Sequence, residues 1–215
     1  MPTRSTEDYL KQIYHLQSSG ERANTGSLAS LLGISPASVS EMVGKLSDEG
    51  WIINKPYHGF QLTKKGERTA VNLVRKHRMV EVFLQQHLKY EWDEVHNEAE
   101  KLEHAISDTF VNKLEEYLGF PKYDPHGDPI PDKNGKFSPV NYKLLIKSEA
   151  GKNYVIAKVK DSSTEILQYL TKIGLRLNSN ISVNEKIEFD GSVLISHEGK
   201  NHLLSKTMAE LIFVV

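Results

Sequence analysis

The chain has 215 residues, 39% hydrophobic and 26% charged, with a formal net charge of −1 and no cysteine, so disulfides, thiolate nucleophiles and sulfur-rich metal sites are excluded. That length suits one larger domain or two to three small ones; no eighteen-residue apolar run and no charged-then-apolar leader occurs, so neither a membrane span nor a secretory signal is expected and the cytoplasm is the expected compartment. The near-neutral sum hides a segregation: residues 1–78 carry eleven Lys+Arg against seven Asp+Glu, residues 79–128 four against twelve, and residues 129–215 twelve against nine. A basic end suits phosphate and an acidic middle suits cations.

The first segment reads as short helices with explicit start and stop signals. Ser5 with Asp8 three residues later resembles a capping box, opening a helix whose apolar stripe is Tyr9, Leu10, Ile13, Tyr14 and Leu16. A second helix starts near Thr25, carries Leu28, Leu31 and Leu32, and stops at Gly33. In the turn Gly33-Ile34-Ser35-Pro36, Gly33 ends one helix, Ser35 caps the next and Pro36 takes its first position. The third helix carries Val39, Met42, Val43 and Leu46 and ends at Gly50. Two short helices joined this tightly make a helix-turn-helix. Trp51-Ile52-Ile53 and Phe60-Gln61-Leu62 flank Tyr57-His58-Gly59 as a β-hairpin, with Lys55, Lys64 and Lys65 about it. Turn, polar helix face and basic hairpin together predict a DNA-binding winged helix.

A long helix follows from about Lys65 through Val71, Val74, Val80, Phe83 and Leu84, and further helices cover Glu91 to His104 and Ser107 to Leu118. Their apolar residues exceed what docking on the winged helix needs, which predicts a dimer interface. Gly119 to Pro139, with Pro121, Pro125, Pro129 and Pro131, is a linker or irregular loop. Beyond it, Tyr142–Ile146, Tyr154–Val159, Lys186–Phe189, Val193–Ile195 and Glu210–Val215 read as strands, interrupted by one helix near Ser163 to Ile173. This pattern predicts a small β-barrel.

The sharpest pattern is His96, Glu100, Glu103 and His104. At about 100° per residue these four span an arc of only about 100° on one helical face, so four ligand-type side chains converge. A solvated acidic face with ion pairs is the plain alternative. His77 and Glu81 form an i, i+4 pair on the preceding helix. Packing two such helices together would bury three histidines and three carboxylates at high solvation cost, which favours a divalent metal. Carboxylate and imidazole donors without sulfur suit Mn(II), Fe(II) or Zn(II), and hard oxygen leans toward Mn(II).

Four segments in order, Glu7-Asp8-Tyr9-Leu10-Lys11-Gln12-Ile13-Tyr14, Ser35 to Val43, Arg75-Lys76-His77-Arg78-Met79-Val80-Glu81 and Val95 to His104, resemble the diphtheria toxin repressor family of metal-dependent transcriptional regulators. Within it, the chain is more similar to the manganese transport regulators. The resemblance extends to a C-terminal SH3-like domain of the FeoA type. It implies a primary metal site at Asp8, Glu100, Glu103 and His104, with His77 near it; iron-responsive members have methionine and cysteine at the positions of Asp8 and Glu100. It further implies a site at His77, Glu81 and His96, and, from streptococcal-type manganese repressors, one at Glu81, Asp124, His126 and Asp161. The position of Asp124 is usually cysteine there. Two other readings stay open from the residues alone: Asp8 as a capping carboxylate, and His126 as a plain loop histidine.

The expectation is an α+β chain: residues 1–73 a winged helix-turn-helix, 74–140 a helical metal-binding and dimerisation domain with 119–140 as loop, and 141–215 an SH3-like barrel. As a homodimeric manganese-activated repressor of metal-uptake genes, without membrane association, it would bind a palindromic double-stranded operator. Ser35, Ala37, Ser38, Ser40 and Glu41 would face bases, and Lys45, Lys55, Tyr57, Lys64 and Lys65 would hold phosphates. An iron(II)- or zinc-responsive regulator of the same kind, or a metallo-hydrolase, is the alternative.

Overall fold

The structure, a computed structural model, describes residues 2–55, 57–160 and 164–215. Two compact units divide the chain: Met1–His77 with Leu102–Asn112 and Pro131–Lys136, and Arg78–Lys101 with Lys113–Ile130 and Phe137–Val215. Helix α4 (Lys64–Leu88) supplies residues to both.

In the first unit, α1 (Arg4–Ser18) begins two residues before the expected capping box. Its cap is Thr3, whose Oγ1 accepts the Thr6 amide at 3.2 Å, so Ser5 and Asp8 lie inside the helix and Asp8 is released from any capping role. Helix α2 (Thr25–Leu32) opens with a reciprocal box: Asn24 Oδ1 accepts the Ser27 amide at 3.0 Å, and the Asn24 amide donates to Ser27 Oγ at 2.9 Å. It ends at Gly33, whose φ of 66° is left-handed. Ser35 then accepts the Ser38 amide at 3.1 Å and Pro36 opens α3 (Pro36–Asp48), as the sequence predicts. Strands β1 (Ile52–Lys55) and β2 (Gly59–Leu62) pair antiparallel with Ile52 opposite Leu62. Leu10, Ile13, Leu28, Val39, Leu46 and Ile52 fill the core beneath. Segment Leu102–Asn112 is tied to the first half of α4: Asn72 Nδ2 donates to Asp108 at 2.9 Å, Arg75 to Asn112 Oδ1 at 3.0 Å, and Lys76 to the Ile106 carbonyl at 2.8 Å.

The second unit holds the rest of α4, α5 (Val95–Leu102) up to Lys101, the end of α6 (Asp108–Tyr117) and the C-terminal region. Six antiparallel strands, β3 (Lys143–Leu144), β4 (Lys152–Val159), β5 (Asn180–Lys186), β6 (Val193–His197), β7 (Lys200–Leu204) and β8 (Ile212–Val214), form one sheet in the order β3-β8-β4-β5-β6-β7. Helix α7 (Thr164–Lys172) packs Leu167 and Leu170 into the same core as Ile156, Ile181, Ile195 and Trp92; a last short helix is α8 (Lys206–Ala209). Two expectations change here. Of the strand expected at Lys186–Phe189, Lys186 ends β5, and the chain then turns, closed by Ile187 N–H to Ser192 O and Gly191 N–H to Ile187 O, both 2.8 Å, with Phe189 90% exposed. Strands β5 and β7 escape the sequence pattern, while residues 119–142 form neither helix nor strand, as expected of a loop.

Gly66, at the start of α4, passes so close to β1's entry that a Cβ there would lie 2.2 Å from the Trp51 carbonyl oxygen. Gly66→Ala is expected to cost about 1–3 kcal/mol of unfolding free energy in urea melts, the usual price of overpacking. Gly44→Ala, with open space around it on α3, should gain up to about 1 kcal/mol. Equal stability of Gly66→Ala and the parent chain would contradict the close approach.

Candidate metal centres and nucleic-acid interface

In the first unit, α1 brings Glu7, Asp8 and Lys11 on one face, α4 brings His77, and the segment after α5 brings Glu103 and His104. Asp8, Glu103 and His104 each offer a ligand atom within 4.8 Å of the others. Glu103 is wholly buried. Its two oxygens accept from Lys11 Nζ at 2.9 and 2.7 Å, and Oε2 lies 2.5 Å from His77 Nδ1. Lys11 Nζ is also 3.3 Å from that Nδ1, which cannot both donate to the carboxylate and accept from the ammonium; the shorter contact assigns its proton to Glu103.

His104 shows the telling geometry. Its Nδ1 is 2.7 Å from Glu7 Oε2, an acceptor only, so Nδ1 carries a proton and Nε2 is the ring nitrogen that a metal would take. Nε2 then faces Asp8 Oδ1 at 2.9 Å and Glu103 Oε1 at 3.4 Å, yet it makes no hydrogen bond among the described residues although buried. These three electron-pair donors converge on one place, where Lys11 Nζ already meets Glu103 Oε1 at 2.9 Å, and a divalent cation among them would draw on all three. A carboxylate behind the distal ring nitrogen is also the arrangement that orients metal-ligating histidines. The donor set fits a divalent ion.

The second unit holds its own cluster: Glu81, Asp124 and His126, all buried and with ligand atoms within 4.8 Å of one another. His126 Nε2 donates to the Trp92 carbonyl at 2.6 Å, which leaves Nδ1 as the lone-pair nitrogen, 3.9 Å from Glu81 Oε1. Asp124 Oδ1 accepts the His126 and Asp128 amides at 2.9 Å each, and Oδ2 lies 3.4 Å from Arg78 Nε. The loop is pressed on β4: a Cβ at Gly127, whose φ is 90°, would meet the Ala157 carbonyl oxygen at 2.1 Å, and Val159 N–H donates to His126 O at 2.9 Å. Burial pushes the Asp124 carboxyl up to about 7, helped by the charges of Glu81 and Asp128 and opposed by Arg78 and His126. His126 is therefore packed deep in the fold rather than displayed on a loop. His96, on α5, lies 3.6 Å from Glu81 and 3.9 Å from Glu100. Asp161 lies outside the described residues.

Sequence pattern missed four charged residues at these clusters: Glu7, Lys11, Arg78 and Asp128. None is at a ligand spacing.

Ser35, Ala37, Ser38, Ser40, Glu41, Lys45, Lys55, Tyr57, Lys64 and Lys65 are all exposed, Tyr57 by 90%. Ser40 Oγ donates to the Pro36 carbonyl at 3.0 Å. Lys65 Nζ donates to the Glu49 carbonyl at 2.9 Å and sits 3.6 Å above the Trp51 ring, tying it to the base of the hairpin.

Residues 1–60 match the iron dependent repressor N-terminal DNA binding domain, residues 63–132 the iron dependent repressor metal binding and dimerisation domain, and residues 144–215 the FeoA domain. The chain is 34% identical over 114 residues to the HTH-type transcriptional regulator MntR of Lysinibacillus sphaericus, covering 53% of this chain and 81% of that protein. It is 29% identical over 221 residues to the iron-dependent repressor IdeR of Mycobacterium leprae, covering 98% and 96%. Among solved structures, a manganese-dependent transcriptional repressor in complex with manganese is 37% identical with a TM-score of 0.89, covering 98% of this chain and 99% of that one. ScaR with bound zinc is 36% identical with a TM-score of 0.82, covering 100% and 99%.

The raised Asp124 carboxyl has a definite pH signature. Because the folded chain keeps this proton to about pH 7 while an unfolded aspartate loses it near pH 4, the metal-free protein loses stability from this group as pH rises between those values. In chelator, Asp124→Asn keeps the amide-accepting oxygen and should melt progressively higher relative to the parent chain as pH goes from about 4.5 to 7.5. A melting-temperature difference that stays flat over that range would contradict the assignment.

Proposed function

The chain belongs to the iron-dependent repressor family of metal-dependent transcriptional regulators, and from that membership we propose a manganese-activated repressor that binds a palindromic operator as a homodimer in the cytoplasm and controls metal-uptake genes. The observation that carries this reading is His104, with Glu7 behind Nδ1 and two carboxylates before Nε2. Glu100, three residues ahead of Glu103 on α5, is proposed as the further carboxylate of the same set, and His77 stands beside it. Carboxylates and imidazole without sulfur favour Mn(II), with Fe(II) or Zn(II) as alternatives. A second ion is assigned to Glu81, Asp124 and His126, with His96 beside Glu81 and Asp161 as a candidate fourth ligand.

A bound divalent ion would supply positive charge shared by Asp8, Glu103 and His104. Asp8 rides on α1, whose Leu10 and Ile13 pack in the same core as Val39 and Leu46 of α3. Glu103 and His104 ride on the segment fastened to α4 by Arg75 and Lys76. Holding Asp8 against them fixes α1, and through the shared core it fixes the direction of α3. In a dimer, two such helices would enter major grooves about 34–36 Å apart. Ser35, Ala37, Ser38, Ser40 and Glu41 then read base edges, while Lys45, Lys55, Tyr57, Lys64 and Lys65 hold the backbone. Leu88, Tyr117 and Phe120, left exposed by helices of the second unit and the residues after them, support pairing of two chains. No described helix is long and apolar enough to cross a membrane. The proposed domains are residues 1–73, 74–140 and 141–215. A hydrolase would give the winged helix no use.

Two measurements follow. Asp8→Ala removes a ligand from a partly exposed position and should weaken operator binding in Mn(II) by at least about tenfold, with no change in chelator, when followed by fluorescence anisotropy at fixed salt; unchanged binding in Mn(II) would sink the site. Asp8→Met with Glu100→Cys should make Fe(II) the better activator in the same assay, because thioether and thiolate are softer donors. An unaltered ranking of metals would place the preference elsewhere.

A further inference from the structure

Lys11 is 4% exposed and belongs to no ligand set, yet its ammonium donates to both oxygens of the buried carboxylate. Nζ spans both Glu103 oxygens at 2.9 and 2.7 Å and lies 3.3 Å from His77 Nδ1. It stands one helical turn after Asp8 on α1, so one helix carries both a ligand and a rival cation. The position is buried on the Asp8 face of α1, where leucine or methionine could stand, and a buried ion pair seldom stabilises a fold more than such a residue. The charge itself is therefore the feature to explain.

We infer that Lys11 is a built-in counter-cation that sets the metal concentration at which the first cluster loads, a reading that rests on the proposed site at Asp8, Glu103 and His104. Without an ion, Glu103 is wholly buried and Asp8 Oδ1 and Glu7 Oε2 crowd the same histidine; the Lys11 ammonium balances that negative charge and keeps the ligands in place. With an ion on Glu103, the ammonium is either displaced from the carboxylate or retained as a like charge a few ångströms away. Both alternatives oppose loading: the first costs a salt bridge, the second adds repulsion. Lys11 therefore lowers metal affinity while raising the stability of the metal-free chain, which separates the two states of a switch.

The test measures Mn(II) affinity of the full chain by competition with a fluorescent chelator, together with melting temperatures in chelator and in Mn(II). Lys11→Gln should bind Mn(II) about tenfold more tightly or better, melt several degrees lower in chelator, and gain more from Mn(II) than the parent chain does. Lys11→Arg keeps the charge and should stay within about threefold of the parent affinity. Should Lys11→Gln fail to fold in chelator, folding on addition of Mn(II) supports the inference, and failure to fold in Mn(II) overturns it. A folded Lys11→Gln chain whose Mn(II) affinity is equal to or weaker than the parent's also overturns it. If the parent chain bound no Mn(II), or Asp8→Ala bound it as the parent does, the site itself would fall; normal parent binding with an unmoved Lys11→Gln removes only the role of Lys11.

Discussion

A carboxylate with no solvent exposure must be matched by positive charge or hydrogen-bond donors brought to it, and the first unit is organised around that requirement at Glu103. Two parts of the chain answer it: Lys11 from α1 and His77 from α4. Since α1 is also the floor of the winged helix, any change in charge at Glu103 is felt by the element that orients α3. Coupling between metal and DNA needs no long pathway here. It runs through one helix, with Asp8 and Lys11 on one face and Tyr9, Leu10 and Ile13 in the core.

The second cluster meets the same requirement differently. Arg78 faces both Asp124 and Asp128, at 3.4 and 3.2 Å, and Lys158 reaches Asp128 at 2.6 Å, so α4, the proline-rich loop and β4 are laced by charge. Glu81, Asp124 and His126 are all buried, whereas the first cluster keeps Asp8 partly open to solvent. The open cluster suits exchange with a changing metal supply. The closed one suits a tie that, once made, holds the loop against the sheet.

Local chemistry made most of the helical fold legible, because caps and turns are short-range: Ser35-Pro36 and Gly33 act where the sequence places them. The error at α1 has the same short range, with Thr3 rather than Ser5 taking the free amide. Strands were harder. Strand β7 buries only Leu204, so its sequence carries almost no alternation, and Lys186–Phe189 looks extended although Asp190-Gly191 turns the chain there. At the site, the ligand-type residues were legible through helical spacing and resemblance. Lys11 and Arg78 were not, since a search for electron-pair donors passes over cations, and their role exists only where distant segments meet.

Linkage gives the most direct test of the central claim, that one cation shared by Asp8, Glu103 and His104 joins metal sensing to DNA recognition. Mn(II) affinity would be measured for the free protein and for the protein saturated with its operator. Operator DNA should tighten Mn(II) binding by the same factor by which Mn(II) tightens operator binding. Identical Mn(II) affinities with and without the operator would contradict the account.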